Sequence, residues 1–149
     1  MIPLSRPRPL PINIFAAAFL TAALVPFLDG MSDLGLTETR LQVEYPYFPW
    51  DRDRVIVWLS SNLTIALIPL AMVWLMAAAI ARWLVSVMTL VKAPGAFASA
   101  VAVAGGASGG EAERLVSFAF AALGALMLFL PASHEWFARA KEVDPAVFD

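Results

Sequence analysis

The stretch VIVWLSSNLTIALIPLAMVWLMAAAIARWLVSVMTLV, residues 55–91, decides the fold, and Arg82 is its only charged residue. A soluble helix would show polar residues on one face at helical spacing, and this run shows almost none. Lipid is therefore the solvent the sequence expects. As one continuous helix the run would be roughly 55 Å long at about 1.5 Å per residue. The hydrocarbon core of a bilayer is only about 30 Å thick. The best crossing window is 63–81, where Thr64 is the sole polar residue. Arg82-Trp83 follows it, a pair suited to a membrane–water interface. The run thus predicts a long second helix that overhangs the bilayer at both ends, kinked at Pro69. The overhanging apolar residues need cover from the membrane surface or from another protein.

Upstream, INIFAAAFLTAALVPFL spans residues 12–28, near the lower limit for crossing. Its length and the missing A-x-A cleavage pattern favour a retained helix over a signal peptide. Downstream, Pro94-Gly95 is expected to end the second helix, and 105–110 to be a flexible link. A third helix is expected at 113–130, with Glu111 and Glu113 at its positive dipole end. After Pro131, Ser133 is the expected N-cap of a short interfacial helix carrying Trp136 and Phe137. The chain reads as one membrane domain over 1–149. It is all-α and integral to the membrane, with three transmembrane helices, the second long and overhanging. An outer loop at 29–54, an inner loop at 82–112 and an outer tail at 131–149 complete it. Within the outer loop, Leu41 and Val43 suggest a short extended piece.

Composition agrees. The 149 residues are 60% hydrophobic and 15% charged, against about 45–50% and about 25% in globular domains. A net charge of −2 with scattered Lys and Arg argues against nucleic acid as a partner. Cysteine is absent, which removes disulfides and thiolate chemistry. Lys and Arg divide five to five between the two sides of a three-span topology. Arg6 and Arg8 stand close to the first helix and break the tie. The expectation is an N-terminus in the cytoplasm and a C-terminus in the periplasm of a bacterial inner membrane.

Several groups of residues invite functional reading. YPYFPWDRDR, at 45–54, sets Tyr45, Tyr47 and Trp50 just before the long apolar run. With Trp58, Arg82, Trp83 and Trp136 they read as interfacial anchors, since one end of each aromatic is polar. Its prolines also stiffen the segment as a docking surface. Ser61 and Asn62 lie in a polar patch able to hydrogen-bond back to carbonyls or across to a neighbouring helix. Ala18 and Ala22, then Ser117, Ala121 and Ala125, form small-residue ridges for helix packing. His134, the only histidine, has no second ligand at helical spacing and reads as an interfacial side chain. GGASGGE lacks the Lys-Ser/Thr of a phosphate loop.

No Asp, Glu, Lys, Arg or His falls inside the apolar windows 12–28, 63–81 and 115–130. Transporters, pumps and pigment or haem subunits usually need one. No catalytic, cofactor-binding or metal-ligating residue is assigned, and the chain is not read as an enzyme. The expected role is a non-catalytic accessory subunit of a larger inner-membrane complex. Its expected partners are lipid and other integral membrane proteins. The alternatives are a holin-like self-assembling protein or a small membrane-bound regulator or sensor.

Overall fold

The computed structural model describes residues 8–76, 78–106 and 110–139. Arg6, the centre of the expected glycine-rich link and the tail from 140 onward lie outside them. Six helices follow in order: α1 (Leu10–Ser32), α2 (Leu34–Glu44), α3 (Arg52–Met76), α4 (Ala79–Ala104), α5 (Gly110–Met127) and α6 (Pro131–Arg139). No strand occurs among the described residues. Helices α1, α3 and α4 are each long and apolar enough to cross a membrane. Helix α5 reaches that standard only together with α6, which bends away from it by 62°.

The four longer helices pack antiparallel in chain order. Phe27 and Gly30, late in α1, meet Leu41 of α2 and Val55 and Leu59 of α3 at one end of the bundle. At the other end Ile12 and Phe15 of α1 share a cluster with Val73 of α3, Ala81 and Val85 of α4, Leu128 and Phe137. Gly30 lets α1 and α3 approach closely. A Cβ there would stand 2.8 Å from a Leu59 methyl. Gly124 does the same for α1 and α5, since its Cβ would lie 3.4 Å from the Phe15 ring.

The decisive correction concerns residues 55–91. They do not form one overhanging helix. Helix α3 stops at Met76 and α4 starts at Ala79, with Ala78 extended at φ −71° and ψ 111° between them. The Ala78 N–H closes onto the Met72 carbonyl at 3.1 Å. The 25 residues of α3 already cover about 38 Å, more than a bilayer core needs. Small alanine side chains then let the chain reverse tightly.

Pro94-Gly95 does not end a helix either, for α4 runs through both to Ala104. A break there would strand backbone groups in hydrocarbon, and an internal proline is the smaller cost. The expected inner loop at 82–112 is therefore mostly a helix long and apolar enough to cross a membrane. Residues 34–44 are helical rather than extended. Asp33 caps α2 by accepting the Leu36 N–H at 2.9 Å. Ser133 is not the cap of α6, which begins two residues earlier at Pro131. Its hydroxyl instead donates to the Met127 carbonyl at 2.7 Å, tying α6 to the end of α5.

These changes alter the parity of the chain. The start of α1 and the whole of α6 lie at one end of the bundle, with the 76–79 reversal. The α1–α2–α3 connection and the 104–110 turn lie at the other. Arg114 pairs there with Glu44, and Arg40 with Asp29, both at 3.7 Å. Opposite sides for the two termini do not follow from this arrangement.

Candidate functional site

Three places gather polar or aromatic chemistry. The first is the middle of the bundle. Lys92 sits 13 residues after Ala79 and 12 before Ala104, close to the centre of α4. It lines a recess with Phe19, Ala22 and Ala23 of α1, Ala66 of α3, Met88 and Thr89 of α4, and Ala121 of α5. The recess holds about 10 Å³, barely one water. Among the described residues no carboxylate pairs with Lys92. The residue nonetheless keeps exposed surface. Charged side chains at a helix centre cost about 2.5–3.5 kcal/mol on insertion scales, and such residues mark functional positions. The sequence reading missed it because its windows ended at Ala81 and placed Lys92 in a loop.

A second polar feature of the interior has a simple cause. Pro26 of α1 has no N–H, so the Ala22 carbonyl one turn earlier loses its helical donor. The Ser117 hydroxyl of α5 donates to that carbonyl at 2.7 Å. Ser117, Ala121 and Ala125 of α5 are buried, as are Ala18 and Ala22 of α1. The structure brings all five together in the most extensive helix pair of the chain. Ser61 and Asn62 are not part of it. They face outward and bond back to the Val57 and Trp58 carbonyls at 2.7 and 2.8 Å.

The aromatic segment at 45–54 folds against the start of α3. Trp50 is its centre, with ring centroids 4.7 Å from Phe48, 6.4 Å from Tyr45 and 6.3 Å from Trp58. It packs on the Leu41, Val55 and Leu59 cluster. Asp51 caps α3 by accepting the Arg54 N–H at 2.9 Å, and Arg54 also donates to the Pro49 carbonyl. The four charges of DRDR thus begin a helix. Tyr47 is fully exposed at the tip of this aromatic platform. The adjacent Glu44 carboxylate raises the Tyr45 pKa, keeping its phenol a neutral donor.

At the opposite end, arginines lie over aromatic rings. Arg8 stands 4.0 Å from the Trp74 ring centroid and donates to the Trp74 carbonyl at 3.2 Å. Arg82 lies 5.5 Å from Trp83 and 6.0 Å from Phe129 and Phe137, with a nitrogen 3.2 Å from His134 Nδ1. His134 thus joins Trp83, Phe129 and Phe137 around the Arg82 guanidinium. Trp83 is largely exposed, while Trp136 is half-buried against the core cluster. No group of three or more His, Cys, Asp or Glu suited to a metal occurs among the described residues.

No family model, curated protein or solved structure matches the chain.

Proposed function

We propose that the chain is a non-catalytic accessory subunit of a larger membrane complex in a bacterial inner membrane. The observation that carries this is the aromatic platform at 45–58. Three rings pack around Trp50, two prolines stiffen the segment, and Tyr47 projects fully exposed. A rigid projecting aromatic loses little entropy when a partner covers it. The outer faces of the helices add apolar surface at Val87, Leu90, Val91, Phe97 and Val101, which lipid or a neighbouring helix can cover.

If all four longer helices cross, both termini share one side. Arg8 and Arg82 then stand at the end of the termini, and Arg40, Arg52, Arg54 and Arg114 at the other. The aromatic platform lies on the side opposite the N-terminus in either topology.

Purification from native membranes in mild detergent tests the role. One stoichiometric set of co-purifying membrane proteins is the expected outcome. A monomer or homo-oligomer alone would overturn the proposal and shift weight to self-assembly.

A further inference from the structure

The corner around Arg82 joins three elements: the start of α4, the end of α5 and α6. The Arg82 guanidinium lies 5.5 Å from the Trp83 ring centroid and 6.0 Å from those of Phe129 and Phe137. Trp83 and Phe129 meet edge to face at 5.7 Å, and they are 57% and 48% exposed. A guanidinium can only donate, so His134 Nδ1, 3.2 Å from Arg82 Nη1, accepts. The imidazole proton then sits on Nε2, at an exposed side chain, as a further donor. The Arg82 Nε–H is buried and meets no acceptor. Spare N–H donors thus adjoin open apolar rings.

The depth of this corner follows from the length of α4. Its 26 residues span about 39 Å, against about 30 Å of hydrocarbon. Centred on the bilayer, the helix extends about 4–5 Å past the hydrocarbon at each end. Arg82 is three residues after Ala79, about 4.5 Å from the helix start. It therefore stands where hydrocarbon gives way to headgroups, and α6 turns aside by 62° at the same end. Charge is divided unevenly between the two ends. The far end, residues 29–54 and 111–114, carries eight acids and four arginines. At the near end Arg8, Arg82 and Arg139 stand with one acid among the described residues, Glu135.

We propose that this corner binds the phosphate of an anionic phospholipid, with Arg82 and His134 donating to its oxygens and Trp83 and Phe129 lying under its acyl chains. A planar guanidinium matches phosphate oxygens, and basic sites between membrane helices take anionic headgroups. Depth favours a lipid over a soluble anion, because only a lipid covers the exposed rings while its phosphate reaches Arg82. Charge favours an anionic lipid over a zwitterionic one. Phosphatidylcholine carries its own cation beside the phosphate, which an end already rich in arginine repels. The proposal rests on α4 crossing the membrane and is independent of the accessory-subunit role.

The test is lipid titration of the full chain in mild detergent, read by native mass spectrometry, with phosphatidylglycerol and phosphatidylcholine of matched acyl chains as probes. Wild type should retain one phosphatidylglycerol at least about five-fold more tightly than phosphatidylcholine, as one interfacial cation allows. Arg82→Gln should reduce that preference to less than about two-fold, while Arg82→Lys keeps part of it. Arg54→Gln, which removes an arginine beside an aromatic ring at the far end, should leave the preference intact. Equal retention of the two lipids by wild type overturns the proposal and needs no variant to fold. A preference that survives Arg82→Gln, or that Arg54→Gln removes equally, also overturns it, since net charge rather than this corner then selects the lipid. Displacement of phosphatidylglycerol by millimolar inorganic phosphate would assign the site to a soluble anion instead. A co-purifying membrane protein lost in Arg82→Gln, without any lipid preference in wild type, would assign it to a protein contact.

Discussion

Ser117→Ala offers a sharp test of how this bundle is held together. The Ser117 hydroxyl is buried between α5 and α1 and sits 2.7 Å from the Ala22 carbonyl. That carbonyl has no helical donor, because residue 26 is proline. Removing the hydroxyl leaves a buried acceptor unpaired. A neutral hydrogen bond of this kind contributes about 1 kcal/mol net. Measured bonds between membrane helices average about 0.6 and reach about 1.7 kcal/mol. The expected cost is therefore about 1 kcal/mol, roughly a five-fold change in the folding constant. The causal claim is tested by Pro26→Ala. Alanine restores an N–H at residue 26, which can take the Ala22 carbonyl itself. In that background Ser117→Ala should cost close to nothing, giving a coupling of about 1 kcal/mol in the double-mutant cycle. Reversible unfolding by denaturing detergent, followed by tryptophan fluorescence, measures all four variants. Equal costs of Ser117→Ala in both backgrounds would refute the link between the proline and the serine.

Three further outcomes are expected. Trp50→Ala should destabilise the fold by about 2 kcal/mol, less than the ~3–5 of a fully buried tryptophan, because Trp50 packs on Leu41, Val55 and Leu59 yet remains half-open. Tyr47→Ala should leave stability unchanged and weaken only partner capture; thermal melts and native purification separate the two effects. The chain has no cysteine, so single Thr39→Cys, Ala112→Cys, Leu10→Cys and Ala132→Cys variants report topology cleanly. An impermeant thiol reagent should reach the first two from one side of sealed vesicles and the last two from the other. Labelling of residue 132 together with residue 39 would rule out the four-helix crossing.

Much of the fold was legible in the sequence where composition alone decides it. The apolar blocks mark the helices because a membrane-crossing segment must satisfy its own backbone hydrogen bonds. The small residues of 12–28 and 113–130 mark the α1–α5 contact because nothing larger fits between closely spaced backbones. Boundaries were another matter. The reversal at 76–79 falls in a run of alanines, which signals neither turn nor helix end. Pro94-Gly95 gave the opposite false signal: it has the residues of a stop, but in hydrocarbon a proline is absorbed by the helix. Ser61 and Asn62 look suited to joining helices, yet back-bonding to their own helix satisfies them without a neighbour.

One of those boundary errors carried the functional argument with it. With α3 and α4 merged into one overhanging helix, every ionisable residue fell outside the crossing windows, and transport or cofactor chemistry lost its motive. Dividing the run moves Lys92 from a loop to mid-bundle, so the argument from absent charge no longer holds. What replaces it is more specific. A proton relay needs a series of titratable groups within reach of one another, and the recess beside Lys92 is lined by alanines, Phe19, Met88 and Thr89. A single cation in that setting is poorly placed to pass a proton onward.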